Sequence, residues 1–528
     1  RGQFMDSETT AHTIRRWYSF KLKVIFEGIC IGILTGLLIV AYRLALEKAF
    51  IFLTFMYQKV SEKPLALLPW IIALIVIGII ISFLVKWAPL ISGSGIPQVE
   101  GFLSGKLDMC WWKVLIAKFA GGVLSIGSGL SLGREGPSVQ LGATVGLGFS
   151  RTFKRSHIEE SYLVTAGASA GLAAAFNAPL AGVLFSLEEV HKNFSPLVLL
   201  TALSSALTSS YVAGEFFGLG PIFTFSGLEH LPLNHYALVI LLGLFLGVCG
   251  VVFNAGLLKS QTLYAHLKWI PSHFRVFIPL SFSLGLGFIL PQLLGGGHEL
   301  IVEVVSFPLS LGFLTLLLVG KFVFTMICYG SGAPGGIFLP LLSIGAVIGT
   351  LWGTALSTFF GIDPSFTLNF IVLAMAGFFT AIVRAPITGI ILISEMTGSF
   401  EHFLSLAVVC IVAYIVADLL GSKPVYDSLL ERLLKSYGER KKNKNDSRKT
   451  ILEFVVQSGS KLDGAYVRDI SWPSLCLLVS LRRGQNEILP KGNTKIRAGD
   501  YLVILTDASE VSTVHEYIIP MIDTPIRG

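Results

Sequence analysis

Apolar stretches of membrane-spanning length recur along most of this chain, from about Val24 to Leu420. Many of them reach the roughly 20 residues that a helix needs to cross a bilayer. Charged residues make up only 14% of the chain, whereas ordinary soluble proteins carry about 25%, and the mean hydropathy is +0.72. The sequence therefore predicts a polytopic membrane protein.

Basic residues are concentrated at the two ends of the apolar region, so the net charge of +7 does not indicate binding to nucleic acid. By the positive-inside rule, these clusters place both ends of the membrane part in the cytoplasm. We expect Met5 to be the natural first residue and no cleavable signal peptide, because a polar segment precedes a long apolar run. The basic residues are Arg15, Arg16, Lys21 and Lys23 before the first run, and Lys435, Arg440, Lys441, Lys442 and Lys444 after the last.

Short sequence motifs in the membrane part recur at a nearly constant spacing. Lys118-Phe119 is echoed 203 residues later by Lys321-Phe322, and residues 178–182 (Ala-Pro-Leu-Ala-Gly) are echoed 207 residues later by residues 385–389 (Ala-Pro-Ile-Thr-Gly). Shared packing patterns of membrane helices explain single glycines, but they do not explain an ordered series of matches. The pattern therefore predicts a repeat of about 200 residues. Such repeats are typical of secondary transporters, whose binding sites lie at the repeat interface.

Three glycine- and proline-rich breaks interrupt the apolar runs, at residues 93–97 (Gly-Ser-Gly-Ile-Pro), 133–137 (Gly-Arg-Glu-Gly-Pro) and 332–338 (Gly-Ala-Pro-Gly-Gly-Ile-Phe). Each break is followed by apolar residues that can start a helix, and helix N-termini offer unpaired N–H groups and partial positive charge to an anion. A single break is most simply a packing kink. Three breaks within a repeat favour an anion site.

Two carboxylates are candidate proton carriers. Glu135 lies between two helix-breaking glycines, in membrane sequence where an ionisable group costs roughly 3 kcal/mol on insertion scales. Glu189 ends an apolar helix, and for the pair that it forms with Glu188 an ordinary solvated helix end is the alternative. Glu188 is echoed 207 residues later by Glu395, which favours a structural role for Glu188. We expect Arg134 and Arg384 to bind broken backbone or carboxylates rather than to line a pore.

The three breaks and the late Tyr426, in this order, closely resemble the CLC family of chloride channels and transporters, over about residues 20–435. This resemblance implies an all-α membrane protein with two inverted repeats and broken helices, which forms a homodimer with one pore per subunit. It also implies that Glu135 is the gate, which swings out when protonated. The remaining roles that it implies are chloride coordination by Ser94, Tyr426 and the backbone amides of Ile337 and Phe338, and an external anion site at the backbone amides of Arg134, Glu135 and Gly136.

The family includes passive channels and proton-coupled antiporters. Its transporters generally carry a second, inner glutamate, and Glu189 stands where the resemblance expects it. Ser94 argues against the fluoride-exporting and nitrate-preferring branches. We therefore expect chloride/proton exchange in a bacterial plasma membrane, and an uncoupled chloride channel is the alternative. We expect neither an enzyme nor a metal site, because the tail lacks a nucleophile–base set and the six cysteines are scattered without paired spacing.

The C-terminal tail differs from the membrane part in its pattern of apolar residues. Short apolar runs at residues 452–456, 475–479 and 501–505 predict strands, and so small a domain favours pairing with a second copy. The tail resembles the TrkA-C (RCK-C) regulatory domain through residues 482–485, 488–490 and 498–503. This resemblance makes cyclic di-AMP the leading ligand, with Arg482 and Arg483 as candidate phosphate contacts and a solvated hairpin tip as the alternative. The expected division is an N-terminal segment 1–19, a transport domain 20–435, a charged linker 436–449 and a small α+β regulatory domain 450–528.

Overall fold

The computed structural model of the protein describes residues 2–192, 194–223, 225, 231–441, 449–473, 476–484, 486–507 and 511–523. The chain forms two compact units, of which the first holds Arg1–Leu103 and Met109–Glu431 and the second holds Ser104–Asp108 and Arg432–Gly528. We call them the membrane unit and the C-terminal unit. Half of the predicted linker (442–448) lies outside the described residues, as do Leu475 of a predicted strand, Gln485 of the TrkA-C motif and residues 524–528.

The described part of the membrane unit is helical. Eight helical segments in it are long and apolar enough to cross a membrane, which confirms the predicted polytopic fold. The predicted N-terminal segment 1–19 is continuous with the first helix from its second residue onward. The helices are α1 (Gly2–Glu62), α2 (Leu67–Trp87), α3 (Ile96–Leu103), α4 (Trp111–Gly127), α5 (Glu135–Thr152), α6 (His157–Phe176), α7 (Pro179–Phe185), α8 (Pro196–Phe217), α9 (Tyr236–His266), α10 (Phe277–Ile289), α11 (His298–Ser306), α12 (Leu311–Gly330), α13 (Phe338–Phe360), α14 (Thr367–Val383), α15 (Pro386–Thr397), α16 (Phe403–Leu419) and α17 (Val425–Lys441).

The three predicted breaks are real helix boundaries. Helices α3, α5 and α13 begin at Ile96, Glu135 and Phe338, directly after or within the glycine-rich segments. Gly93 and Gly95 have φ angles of 69° and 95°, in the left-handed region that residues with a Cβ rarely adopt. In the first break, these glycines therefore let the backbone turn into α3 inside the unit.

Equivalent glycines bring helices into close contact in both repeats. A methyl group on Gly142 of α5 would overlap the Gly167 carbonyl of α6. Its echo in α13, Gly345, packs on α14, where a Cβ would lie 2.9 Å from the Ala374 carbonyl oxygen. Small residues allow such backbone approach within membranes. The same contact thus recurs in each half of the membrane unit.

Equivalent lysines support the broken segments. The buried Lys118 ammonium donates to the carbonyls of Ile91 (2.9 Å) and Gly93 (2.6 Å). Its echo, Lys321, donates to the carbonyls of Leu293 (2.9 Å) and Gly295 (2.8 Å). Each lysine supplies donors to carbonyls that an unbroken helix would satisfy internally. These matching contacts agree with the sequence echoes.

Two carboxylates connect the repeats reciprocally. Glu188 accepts hydrogen bonds from the Thr388 backbone N–H (2.9 Å) and hydroxyl (2.7 Å), in the first turn of α15. Glu395 accepts hydrogen bonds from the backbone N–H groups of Leu180 (3.1 Å) and Ala181 (2.8 Å), in the first turn of α7. Each glutamate therefore caps the equivalent helix of the other repeat. These contacts agree with the structural role predicted for Glu188.

The C-terminal unit holds a four-stranded antiparallel sheet in the order β1-β4-β2-β3. One face packs with α18 around a core that includes Phe454, Leu481 and Leu502. The three predicted strand regions correspond to β1, β2 and β4, whereas the short β3, which follows Gly484, was not predicted. The elements are β1 (Lys449–Val455), β2 (Cys476–Arg483), β3 (Asn486–Ile488), β4 (Tyr501–Asp507) and α18 (Val511–Asp523).

Candidate functional site

The three broken segments pair with one another inside the membrane unit. Gly133 and Gly336 exchange two backbone hydrogen bonds of 2.7 and 2.8 Å. Gly93 donates to the Ala333 carbonyl (3.3 Å) and accepts from the Gly335 N–H (3.0 Å). Segments that are more than 200 residues apart in the chain are therefore held at one place. This pairing brings the starts of α3, α5 and α13 together.

The Glu135 carboxylate lies between two of these helix starts. Its side chain is fully buried and faces the backbone N–H groups of Glu135 and Leu339, in the first turns of α5 and α13. Neither carboxylate oxygen makes a hydrogen bond of good geometry among the described residues. The nearest cation is Arg134, whose Nε lies 3.9 Å from Oε1, too far for a hydrogen bond. The carboxylate thus occupies a position where helix N-termini favour an anion.

Glycines on both sides of Glu135 make this arrangement possible. A Cβ on Gly133 would overlap the Glu135 carboxylate. A Cβ on Gly136 would lie 2.9 Å from both the Cβ and the carbonyl oxygen of Ser94. Ser94 is itself buried and accepts a long hydrogen bond (3.4 Å) from the Ile96 N–H at the start of α3. The glycines therefore bring Ser94 and Glu135 to adjacent positions.

Aromatic rings connect the start of α17 with the start of α13. The Tyr426 ring meets Phe185 edge-on at 6.2 Å, and Phe185 meets Phe338 at 5.8 Å. The Tyr426 side chain is fully buried, and its hydroxyl has no hydrogen-bond partner among the described residues. An unpaired buried hydroxyl costs about 1–3 kcal/mol. This hydroxyl is therefore available to an additional polar or charged group.

The sequence reasoning did not find Tyr329, Phe185 or Leu339, which complete this region. The Tyr329 hydroxyl would lie 3.2 Å from a Cβ on Gly93 and faces Ser94. Leu339 follows the third break directly, so the break itself pointed to its N–H group. Phe185 and Tyr329 carry no such signal, because apolar and aromatic residues are common throughout these helices.

Glu189 lies in a different part of the unit. It belongs to a π-helical turn, Ser186–His191, that follows α7, and such turns are frequent at functional sites. Its side chain is only 4% exposed, and Oε2 has no hydrogen-bond partner among the described residues. Glu135 begins α5, so the two carboxylates lie on different elements. Tyr426 is within electrostatic reach of both.

A cavity of about 450 Å³ reaches the Glu135 region from the surface. Gly133, Arg134 and Leu339 contribute to its wall, together with Arg43 and Glu299. Arg134 also reaches the Ala175 carbonyl at 3.5 Å, and Arg384, elsewhere in the unit, donates to the carbonyls of Tyr414 and Ser422 at 2.6 and 2.7 Å. Arg384 thus binds backbone carbonyls as predicted, whereas Arg134 also lines the cavity.

In the C-terminal unit the two candidate phosphate contacts differ. Arg483 donates twice to the Asp500 carboxylate, each time at 2.8 Å, and also to the Lys495 carbonyl. The hydrogen bonds to Asp500 raise the pKa of Arg483 above its usual value. Arg482 is half exposed and lies over the Tyr501 ring, 4.6 Å from its centroid. Arg483 is therefore a structural group, and Arg482 is the better candidate for a ligand contact.

A polytopic helical unit whose broken helices converge on a buried carboxylate and two hydroxyl-bearing side chains has the architecture of an ion-transport protein. The chain belongs to the voltage gated chloride channel family, the CLC family, which matches residues 77–418. Residues 451–519 match the TrkA-C domain. Both resemblances seen in the sequence are thereby confirmed.

Relatives of known activity cover most of the chain. The H(+)/Cl(-) exchange transporter ClcA of Salmonella agona is 35% identical over 443 residues, which cover 81% of this chain and 92% of that protein. A slow cyanobacterial Cl−/H+ antiporter has 33% identity and a TM-score of 0.74, over 80% of this chain and 99% of that one. A CLC-type fluoride/proton antiporter has 25% identity and a TM-score of 0.62, over 75% and 95% of the two chains.

Proposed function

We propose that this protein exchanges chloride for protons across the membrane. The observation that carries the proposal is the buried Glu135 carboxylate, which lies where the starts of α5 and α13 favour an anion. The chain's similarity to H(+)/Cl(-) exchange transporters supports the same activity.

Glu135 is the proposed gate. Chloride and an ionised carboxylate compete for the same N–H groups, because both are anions and the helix N-termini offer one small site. Protonation removes the charge of the carboxylate, which then leaves the site to chloride. The cavity lined by Gly133 and Arg134, which precede Glu135 in the chain, is where the protonated side chain would move. A proton bound at Glu135 and a chloride in the site thus depend on each other.

The chloride site proposed here is formed by the hydroxyls of Ser94 and Tyr426 with the backbone amides of Ile337 and Phe338. The amides of Arg134, Glu135 and Gly136 form the outer site. Hydroxyls and amides supply partial positive charge without a full cation that would trap the ion. The unpaired, buried Tyr426 hydroxyl and the position of Ser94 against Gly136 support this assignment.

Glu189 is the proposed inner proton carrier. A second carboxylate lets protons reach Glu135 without following the whole anion path. Its burial, its unpaired Oε2 and its electrostatic proximity to Tyr426 support this role. In this arrangement the termini face the cytoplasm, in a bacterial plasma membrane, and the protein works as a homodimer.

Measurement of chloride and proton flux across liposome membranes tests the exchange directly. The purified protein is reconstituted with a chloride gradient, and chloride efflux and external pH are recorded together. We expect uphill proton movement driven by chloride. Chloride flux without proton movement would instead establish an uncoupled channel, and no chloride flux would reject both functions.

Regulation by a nucleotide is proposed for the C-terminal unit. The TrkA-C match supports a regulatory role, and the resemblance to that domain makes cyclic di-AMP the candidate ligand. The half-exposed Arg482 guanidinium over the Tyr501 ring is its candidate phosphate contact. Such a surface suits a phosphate and a stacked base. Calorimetry with the full chain in detergent tests whether cyclic di-AMP binds.

A further inference from the structure

A cluster of three charged side chains lies beside Glu189 and has no part in the exchange proposed above. The Lys192 ammonium donates to Glu100 at 2.7 Å and also forms an ion pair with Asp427. Glu100 is nearly buried, with 9% of its side chain exposed, whereas Lys192 and Asp427 are 39% and 35% exposed. The cluster therefore reaches from the interior of the membrane unit to its surface.

Each member of this cluster lies on or directly after an element that carries or follows a residue of the proposed ion pathway. Glu100 is on α3, the helix that begins two residues after Ser94. Asp427 directly follows Tyr426 in the first turn of α17. Lys192 ends the π-helical turn that carries Glu189, and it adopts a left-handed backbone with φ 54°, which is uncommon for a residue other than glycine. The Lys192 ammonium thus connects α3, which begins just after Ser94, with α17, which carries Tyr426. Lys192 itself directly follows the turn that carries Glu189.

We propose that Lys192 is a positioning residue that holds α3 and α17 together at the Glu189 end of the pathway. Its contacts with Glu100 and Asp427 form a clasp. The contact with Asp427 is the one that breaks when the clasp opens. The proposal rests on the proposed function, since it takes Ser94 and Tyr426 to be the groups that hold the anion. With the clasp closed, α3 and α17 hold Ser94 and Tyr426 at fixed positions, and an anion passes only in step with a proton. With the clasp open, Tyr426 can move with α17 and let chloride pass uncoupled.

Asp427 is the weaker side of the clasp for a physical reason. An ion pair that is more than one third exposed is screened by water and salt. The contact with Glu100 is less accessible, and breaking it would leave a nearly buried carboxylate unpaired. Movement of α17, which leads along the chain toward the C-terminal unit, would therefore break the contact with Asp427 first.

The variant Asp427→Asn tests this inference, because it removes the charge and keeps the size of the side chain. We expect chloride turnover in liposomes to rise about two- to fivefold, the factor that an exposed ion pair can contribute, while fewer protons move per chloride. Asp427→Glu restores the charge and is expected to restore the coupling. Glu431→Gln is the matched control, since it breaks the exposed pair with Lys423 (2.9 Å) on the same helix and is expected to change neither quantity.

Several results would overturn the clasp. These are wild-type turnover and coupling in Asp427→Asn, an equal effect in Glu431→Gln, or a folded Asp427→Asn protein that loses chloride flux. If the unmodified protein moves chloride without protons, the exchange proposal fails by itself. The effect of Asp427→Asn on chloride turnover then still decides whether the clasp exists.

Discussion

At the residue scale, the position of Glu135 depends on the missing side chain of Gly133 and on the distance of Arg134. Gly133 has no Cβ, so the carboxylate can fold back against it, and Arg134 is too distant to hold it in a strong ion pair. Backbone N–H groups at the starts of α5 and α13 are its main polar surroundings. These groups do not distinguish a carboxylate from a chloride ion. In the proposed mechanism, the charge on Glu135 therefore decides which of the two occupies the site.

Replacing Glu135 with glutamine tests this competition. The amide has the shape of the protonated acid and cannot release a proton, so we expect chloride flux to continue while proton coupling disappears. Simultaneous chloride and pH recordings from liposomes measure both quantities. Glu299→Gln is the control, since this exposed carboxylate lines the same cavity without touching the helix starts. Proton coupling that survives in Glu135→Gln would contradict the gating role.

Glu189 and Glu188 offer a matched comparison between neighbouring carboxylates. Glu189→Gln removes the proposed inner proton carrier, so we expect slower proton transport with chloride movement intact. Glu188→Gln weakens the cap on α15, which should lower stability by about 1 kcal/mol and leave the coupling unchanged. Proton-to-chloride ratios and thermal unfolding in detergent separate the two effects. Unchanged coupling in Glu189→Gln would move the inner proton route to another group.

The sequence indicated candidate site residues but not their contacts. Glu135 and Ser94 stand out as a charge and a hydroxyl at helix breaks in apolar sequence, whereas Tyr426 was a candidate only through the resemblance to the CLC family. No role for Lys192 could be predicted, because a lysine near a helix end is common in any sequence. Its contact with Asp427, 235 residues away, is formed only in the folded structure. Long-range pairing of this kind depends on tertiary packing, which local patterns do not contain.

At the scale of elements, the two halves of the membrane unit use the same devices. Glycine at equivalent positions of α5 and α13 permits close helix packing, and equivalent lysines support the broken segments. The sequence echoes predicted this equivalence. They did not reveal that Glu188 and Glu395 cap each other's repeat, because an exchange of caps depends on how the halves face each other. Strand β3 was also missed, since it has only three residues.

Gly142 tests the packing of α5 on α6. Gly142→Ala places a methyl group where the Gly167 carbonyl lies, and overpacking of this kind costs about 1–3 kcal/mol. We expect a lower unfolding temperature in detergent and less folded protein. Gly285→Ala is the control, because a Cβ there meets nothing within 4 Å and alanine favours a helix. Equal stability of the two variants would contradict the close packing.

At the scale of the whole molecule, the chain combines a transport unit with a small domain of regulatory type. The membrane unit contains the groups proposed for exchange, and the C-terminal unit has its own core around a four-stranded sheet. The exposed face of that sheet carries Arg482 over Tyr501. Along the chain, α17 leads from Tyr426 and Asp427 in its first turn toward the C-terminal unit.

Binding of cyclic di-AMP to the full chain should therefore depend on Arg482. A charge-assisted hydrogen bond to phosphate contributes about 1.5–3 kcal/mol, so Arg482→Ala should weaken binding by about tenfold or more in calorimetry. Arg468→Ala is a matched control, since Arg468 is also exposed and lies over a tyrosine ring, 5.5 Å from the Tyr466 centroid. Equal affinity of both variants would exclude Arg482 as a phosphate contact. Absence of binding to the unmodified chain would exclude this nucleotide as the ligand, and the C-terminal unit would then respond to a different signal.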